Sequence, residues 1–230
     1  KDTSRGLGDV YKRQGDMIRE TLTESGVDLS QLQRDVGPSG MSAAIVNSSG
    51  QYGAVIVSAA NLNTVANDII IPEGTSLVIL QNEIPQEVNM EVALKAKKVD
   101  AKVWLNAAPA RELPNHLVKL VDLLIVNRVE AEFYSSLNRS LRVLKTLGAR
   151  GVYYDDVLYS GFSVDVISTH GAGDMFVGAL AAQVVRGTPM VEAIRFAQAA
   201  AALTVSSQQE RRKGLRAQSV IEFLSGQNSL

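Results

Sequence analysis

Three short apolar runs, at 77–81 (LVILQ), 101–106 (AKVWLN) and 123–126 (LLIV), alternate with segments of helical character. The runs are nearly continuous in apolar residues, as strands buried on both faces require. Residues 85–98 read as a helix with Pro85 at its first turn, 115–121 as a short helix behind Pro114, and 128–137 as a third. Strand and helix taking turns leave one economical arrangement: parallel strands covered by helices. The expected class is α/β, with a doubly wound, mostly parallel sheet. A chain of 230 residues, 46% hydrophobic, has material for one such domain.

The second constraint is the stretch Ser168-Thr169-His170-Gly171-Ala172-Gly173-Asp174. Residues 164–167 (VDVI) before it read as a strand, and Met175 onward as a helix with small residues on its packing face. Strand, glycine turn and helix together put the N–H groups of Gly171, Ala172 and Gly173 at a helix N-terminus. There they are free to bind an anion. Glycine lets the backbone approach a phosphate with no Cβ in the way. Asp174, in the first helical turn, stands beside such an anion and can take a proton from an attacking hydroxyl. The same pattern also fits an ordinary turn, with Asp174 favoured by the helix dipole.

Ligands of open α/β sheets bind beyond the carboxyl ends of the strands. The first run ends in Asn82-Glu83-Ile84-Pro85, where a carboxylate can hydrogen-bond sugar hydroxyls or simply sit solvated. The second ends in Asn106-Ala107-Ala108-Pro109-Ala110. The third ends in Asn127-Arg128-Val129-Glu130, and Asn with Glu three residues on is also the pattern of a helix capping box. Further on, helices are expected over 173–186, 190–207 and 219–224.

Ahead of the sheet, residues 15–26 read as a helix closed by Gly26. Residues 41–47 and 51–58 read as two strands joined by Ser48-Ser49-Gly50, a hairpin that needs a partner surface to be stable. Residues 1–14 show no hydrophobic period, and 7–14 resemble a tail that recurs on unrelated fragmentary translated sequences. They are expected to be a non-native or disordered tail, leaving 15–230 as the folded domain, with 40–58 as its hairpin.

Charge excludes several classes. The net charge is −1, with no footprint for nucleic acid or an anionic membrane. The one basic cluster, Arg211-Arg212-Lys213, reads as a solvated loop. There is no cysteine, so disulfides and thiolate metal sites are excluded. His116 and His170 lie too far apart in sequence to suggest a zinc site. No apolar run approaches the length of a membrane span. A cytoplasmic protein is expected.

Residues 169–180 (THGAGDMFVGAL) resemble the C-terminal signature of the ribokinase-like sugar kinases, the phosphofructokinase B type. The resemblance runs from about Gly15 to Leu224. It includes Gly26-Val27-Asp28, Pro38-Ser39-Gly40, Ala60-Asn61, Leu80-Gln81-Asn82-Glu83-Ile84-Pro85, Asn106-Ala107-Ala108-Pro109-Ala110, the Asn127-x-x-Glu130 spacing and the helix 194–205. It implies a kinase that moves the γ-phosphoryl group of ATP to a primary hydroxyl of a pentose such as ribose. Asp174 would be the general base, and Gly171, Ala172 and Gly173 the anion hole. Glu83, Gly40 and Asp174 would bind the sugar, with the hairpin 40–58 as a lid. Asn127, Thr169, Gly173 and Gln198 would bind the nucleotide, with Gln198 on the helix lining the adenine pocket. Glu130 would serve Mg²⁺ through water. The resemblance further implies a monovalent cation such as K⁺ next to position 168, where Ser168 replaces the family's Asp. A homodimer through the lid is expected.

Two other readings belong to the same fold: a nucleoside kinase, and an inactive truncated relative that at most binds nucleotide. The family's first strand, with a sugar-binding Asp and a Gly-Gly segment, has no counterpart here, so an N-terminal truncation is expected. The region 137–162 is shorter than in the family. The Thr-x-Gly nucleotide turn, sought between Tyr154 and Asp155, is not found there.

Overall fold

The computed structural model describes residues 5–46, 52–137 and 141–227. Six strands form the main sheet: β3 (Leu77–Gln81), β4 (Lys102–Asn106), β5 (Leu123–Val126), β6 (Val143–Thr146), β7 (Val152–Tyr154) and β8 (Val157–Tyr159), side by side in that order. Pairs β3–β4, β4–β5 and β5–β6 are parallel, while β6–β7 and β7–β8 are antiparallel. Two reversals restore the direction, so β8 runs parallel to β6. The carboxyl ends of β3, β4, β5, β6 and β8 therefore share one edge.

Alternation along the strands splits the core into two layers. Val103, Leu105, Leu124 and Val126 face α2 (Gln86–Lys98), α3 (Asn115–Val118) and α4 (Arg128–Phe133), where Val92, Ala96, Leu117 and Ala131 pack on them. Trp104, Leu123, Ile125 and Leu144 face the other way, toward α5 (Ala172–Val185) and α6 (Met190–Val205). There Phe176, Leu180, Ile194 and Ala197 close the layer. With helices on both faces, the sheet has the expected α/β architecture. A last helix, α8 (Ala217–Gln227), packs on α6 through Val220, beside Ala199 and Ala200.

Before the sheet, α1 (Arg5–Glu24) leads to β1 (Met41–Val46) and β2 (Tyr52–Val57), an antiparallel pair with Met41 opposite Val57. The turn expected at 48–50 lies outside the described residues. The helix expected from Gly15 starts at Arg5, inside the stretch read as a tail. Two glutamine side chains stand in for a strand here. Gln31 exchanges hydrogen bonds with both the N–H and C=O of Ile70, and Gln33 does the same with Val65. Each amide offers a donor and an acceptor at once, so it matches a peptide group.

One expected strand is absent. Residues 164–167 are irregular, and the N–H groups of Ile167 and Ser168 both donate to Val205 O, at 2.8 and 3.1 Å. Val166 and Ile167 are more than half exposed. An apolar pattern without a neighbouring strand edge makes no ladder.

Candidate active site

The sheet edge where β3, β4, β5, β6 and β8 end is built from turns tied to one another. After β3, Asn82 is buried. Its N–H donates to Ala108 O, and its Nδ2 to Pro109 O at 3.0 Å and to the Tyr134 hydroxyl at 3.1 Å. That hydroxyl donates to Arg111 O at 2.7 Å and accepts from Arg111 N–H at 3.0 Å. Burial pushes the Tyr134 pKa up, which keeps the phenol protonated for this donation. One phenol thus locks the loops that follow β3 and β4, including the cis Ala108–Pro109 bond. Glu83, next to Asn82, is half-buried, and among the described residues its carboxylate makes no ion pair.

After β5, Asn127 caps α4. Its Oδ1 accepts from Val129 N–H at 2.8 Å and Glu130 N–H at 3.0 Å, while its own N–H and Nδ2 donate to the two Glu130 oxygens, each at 2.8 Å. The capping box is complete. Glu130 is only 7% exposed, and burial pushes its pKa up, against the lowering effect of the Asn127 N–H.

After β6 comes the turn Thr146-Leu147-Gly148, with Gly148 at φ +60°. Leu147 N–H donates to Gly151 O, closing a loop that leads into β7. This is a Thr-x-Gly sequence at a strand end, so the turn sought between Tyr154 and Asp155 stands earlier, at 146–148. The strand that carries it, Val143–Thr146, is hard to read from sequence because Lys145 and Thr146 break its apolar run. Gly151 has φ +109°, and a Cβ there would come within 2.0 Å of Tyr159 O. Opposite it, a Cβ on Gly161 would meet Ala149 O at 2.5 Å. The two backbones touch with no side chain between them.

Gln198, in mid-α6, is buried, and its Nε2 donates to Tyr159 O at the end of β8, 2.8 Å away. This fixes where α6 crosses the sheet edge. Val205 lies seven residues on, about 10 Å along a helix axis. Its carbonyl receives the N–H groups of Ile167 and Ser168. The turn 168–174 is therefore tied to the C-terminal end of α6, the helix whose middle is anchored at the end of β8.

That turn starts α5 without a side-chain cap. Gly171 sits at the N-cap with φ +75°, in the left-handed region. Ala172 N–H donates to Thr169 O at 3.2 Å, so of the three N–H groups expected in the anion hole this one is already engaged. Those of Gly171, Gly173 and Asp174 make no main-chain hydrogen bond among the described residues. Asp174, Thr169 and His170 are exposed, and Ser168 Oγ accepts from His170 N–H at 3.3 Å. Gly40 directly precedes β1. A Cβ there would come within 2.7 Å of Asn61 Nδ2, so it packs on the loop after β2.

No group of three or more metal-binding side chains is present among the described residues, and no helix among them is long and apolar enough to cross a membrane.

Residues 7–215 match the model of the pfkB family carbohydrate kinases. The ribokinase of Bacillus subtilis is 30% identical over 215 residues, 84% of this chain and 71% of that one. The ribokinase of Staphylococcus aureus is 28% identical, over 83% of this chain and 71% of its own. Among solved structures, Thermotoga maritima ribokinase superposes with a TM-score of 0.76 at 26% identity, covering 91% of this chain and 77% of that chain. Arabidopsis thaliana ribokinase, complexed with ribose and ATP, gives 0.69 at 27% identity, over 82% and 70%. The chain belongs to the pfkB family of carbohydrate kinases and is a sugar kinase of the ribokinase type.

Proposed function

We propose that the substrate is a pentose with a free primary hydroxyl, ribose foremost, phosphorylated by ATP at the edge described above. The observation that carries this reading is the open start of α5, with free N–H groups at Gly171 and Gly173 and the Asp174 carboxylate one turn in. Asp174 takes the proton of the sugar hydroxyl as its oxygen bonds to the γ-phosphorus. The bond from that phosphorus to the ADP oxygen breaks. The free N–H groups offset charge on the transferred group where it develops. Glu83, with no competing partner among the described residues, binds sugar hydroxyls, and the hairpin carrying Gly40 closes over them as a lid.

On the nucleotide side, Thr146 and Gly148 join Asn127, Thr169 and Gly173. Gln198 acts through Tyr159, since its amide is committed to holding the β8 end. Mg²⁺ fits Glu130 only through water, because both carboxylate oxygens already accept from Asn127 and each has one lone pair left. When bound, the ion neutralises phosphate charge.

The test is ADP release from Mg-ATP over ribose, deoxyribose, hexoses and nucleosides, with Asp174→Asn as control. Ribose-dependent release that the substitution abolishes is expected. Release driven best by a nucleoside would overturn the pentose assignment.

A further inference from the structure

The cluster read from sequence as a solvated loop contains one arginine that is not solvated. Arg212, at the end of the four-residue helix α7 (Gln209–Arg212), is half-buried beneath the anion turn. Its Nη1 donates to His170 O at 2.8 Å, its Nη2 to Ser168 O at 3.0 Å and its Nε to Ser207 O at 3.2 Å. Three main-chain carbonyls from two segments converge on one guanidinium. Two belong to the residues immediately before Gly171, and the third lies just past α6.

A guanidinium is planar, rigid and charged at every working pH. Holding the carbonyls of Ser168 and His170 on one side fixes the peptide planes that lead into Gly171. It also places a full positive charge next to the turn. Among the described residues no ion pair offsets that charge.

The monovalent cation implied by resemblance does not fit here. Carbonyl oxygens that accept from a guanidinium do not also ligate a bare cation, whose charge the guanidinium would repel. Ser168 brings no carboxylate to offset a second positive charge.

We infer that Arg212 is the built-in cation of this site: a positioning residue that holds the anion turn and makes phosphoryl transfer independent of dissolved K⁺. This rests on the kinase reading above and adds the group that keeps its anion turn in shape.

The experiment is a cation series on the full chain. Turnover with the best sugar and Mg-ADP affinity by calorimetry are measured in choline, sodium and potassium chloride at equal ionic strength, so that screening is constant. The chains compared are wild type, Arg212→Ala and Arg212→Lys. Wild type is expected to behave alike in all three salts. Arg212→Ala is expected to lose kcat by about ten- to a hundredfold with little change in the sugar KM, as for a misplaced transition-state group. Part of that loss should return with added guanidinium, or with potassium but not choline, because the carbonyls are then vacant. Arg212→Lys should fall between. Severalfold stimulation of wild type by potassium overturns the inference, with no variant needed. So does an Arg212→Ala chain that matches wild type in both assays.

If wild type releases no ADP with any sugar, the kinase reading fails by itself. Amide exchange at Ile167, Ser168 and Ala172 then decides the role of Arg212. Faster exchange in Arg212→Ala, slowed again by guanidinium, supports it; unchanged exchange overturns it.

Discussion

Two helices of the candidate site, α4 and α5, start in opposite ways. At α4 side chains close the start, with Asn127 covering two N–H groups and Glu130 answering both the Asn127 N–H and its side-chain amide. At α5 no side chain caps, a glycine in the left-handed region opens the helix, and three N–H groups stay free of main-chain partners among the described residues. A closed start stabilises the fold. An open one keeps its unpaired donors, and their affinity for an anion, available. One start is thus built for rigidity, the other for binding.

The contrast can be broken at several points. The largest effect belongs to Asp174→Asn. A positioned base contributes about 10²- to 10⁴-fold, so turnover should fall by that order while Mg-ADP affinity by calorimetry stays near wild type. Equal turnover would remove Asp174 from the chemistry and make α5 an ordinary helix start. Next is Asn127→Ala, which removes the cap and leaves the buried Glu130 carboxylate short of one donor, the side-chain amide, while the main-chain N–H stays. Loss of a cap costs about 1–2 kcal/mol, read as a lower unfolding midpoint in urea. His170→Ala, at the uncapped start, should shift the same midpoint by less than about 0.5 kcal/mol, since its side chain is exposed. Equal losses at both positions would erase the distinction.

Gly171→Ala tests the open start directly. Nothing would obstruct its Cβ, so the cost is conformational, about 1 kcal/mol for a side chain in the left-handed region. The smallest effect concerns pH. Burial raises the Glu130 pKa, so the folded chain holds its proton more tightly than the unfolded one. That contribution to stability is full below the unfolded value, near pH 4, and is lost as pH rises through the folded one. Glu130→Gln should therefore flatten the decline in stability from about pH 4 toward neutrality, measured as midpoints across the range.

What the sequence discloses follows from how much each element depends on its own residues. β4 and β5 are legible because burial on both faces demands near-continuous apolar runs, β3 because its run stays apolar even at the sheet edge, where Ile79 is exposed, and α2 because Pro85 marks its start. β6, β7 and β8 are short, and Lys145, Asp155 and Asp156 interrupt their pattern, so pairing rather than composition defines them. Residues 164–167 show the converse: Val164, Val166 and Ile167 look like a strand but find no edge to join. In the candidate site, Asn127 and Glu130 are legible through their spacing, and structure makes the capping box a fact. Arg212 is not legible. Its partners are carbonyls of Ser168, His170 and Ser207, and a main-chain oxygen leaves no trace in the identity of its residue. Tyr134, which locks two loops through one hydroxyl, is hidden for the same reason.

The contact between Gly151 and Gly161 has a consequence for how this region can change over generations. Neither position can gain even a methyl group, because the obstructing atoms are the other segment's backbone. Replacing one glycine does not make room at the other. The gap between the loop at 147–151 and the strand end at Tyr159 therefore works as a ruler made of main chain, insensitive to ordinary drift in side chains. Diversification has to run through Leu147, Ala149 and Arg150, whose side chains extend from a loop of fixed height.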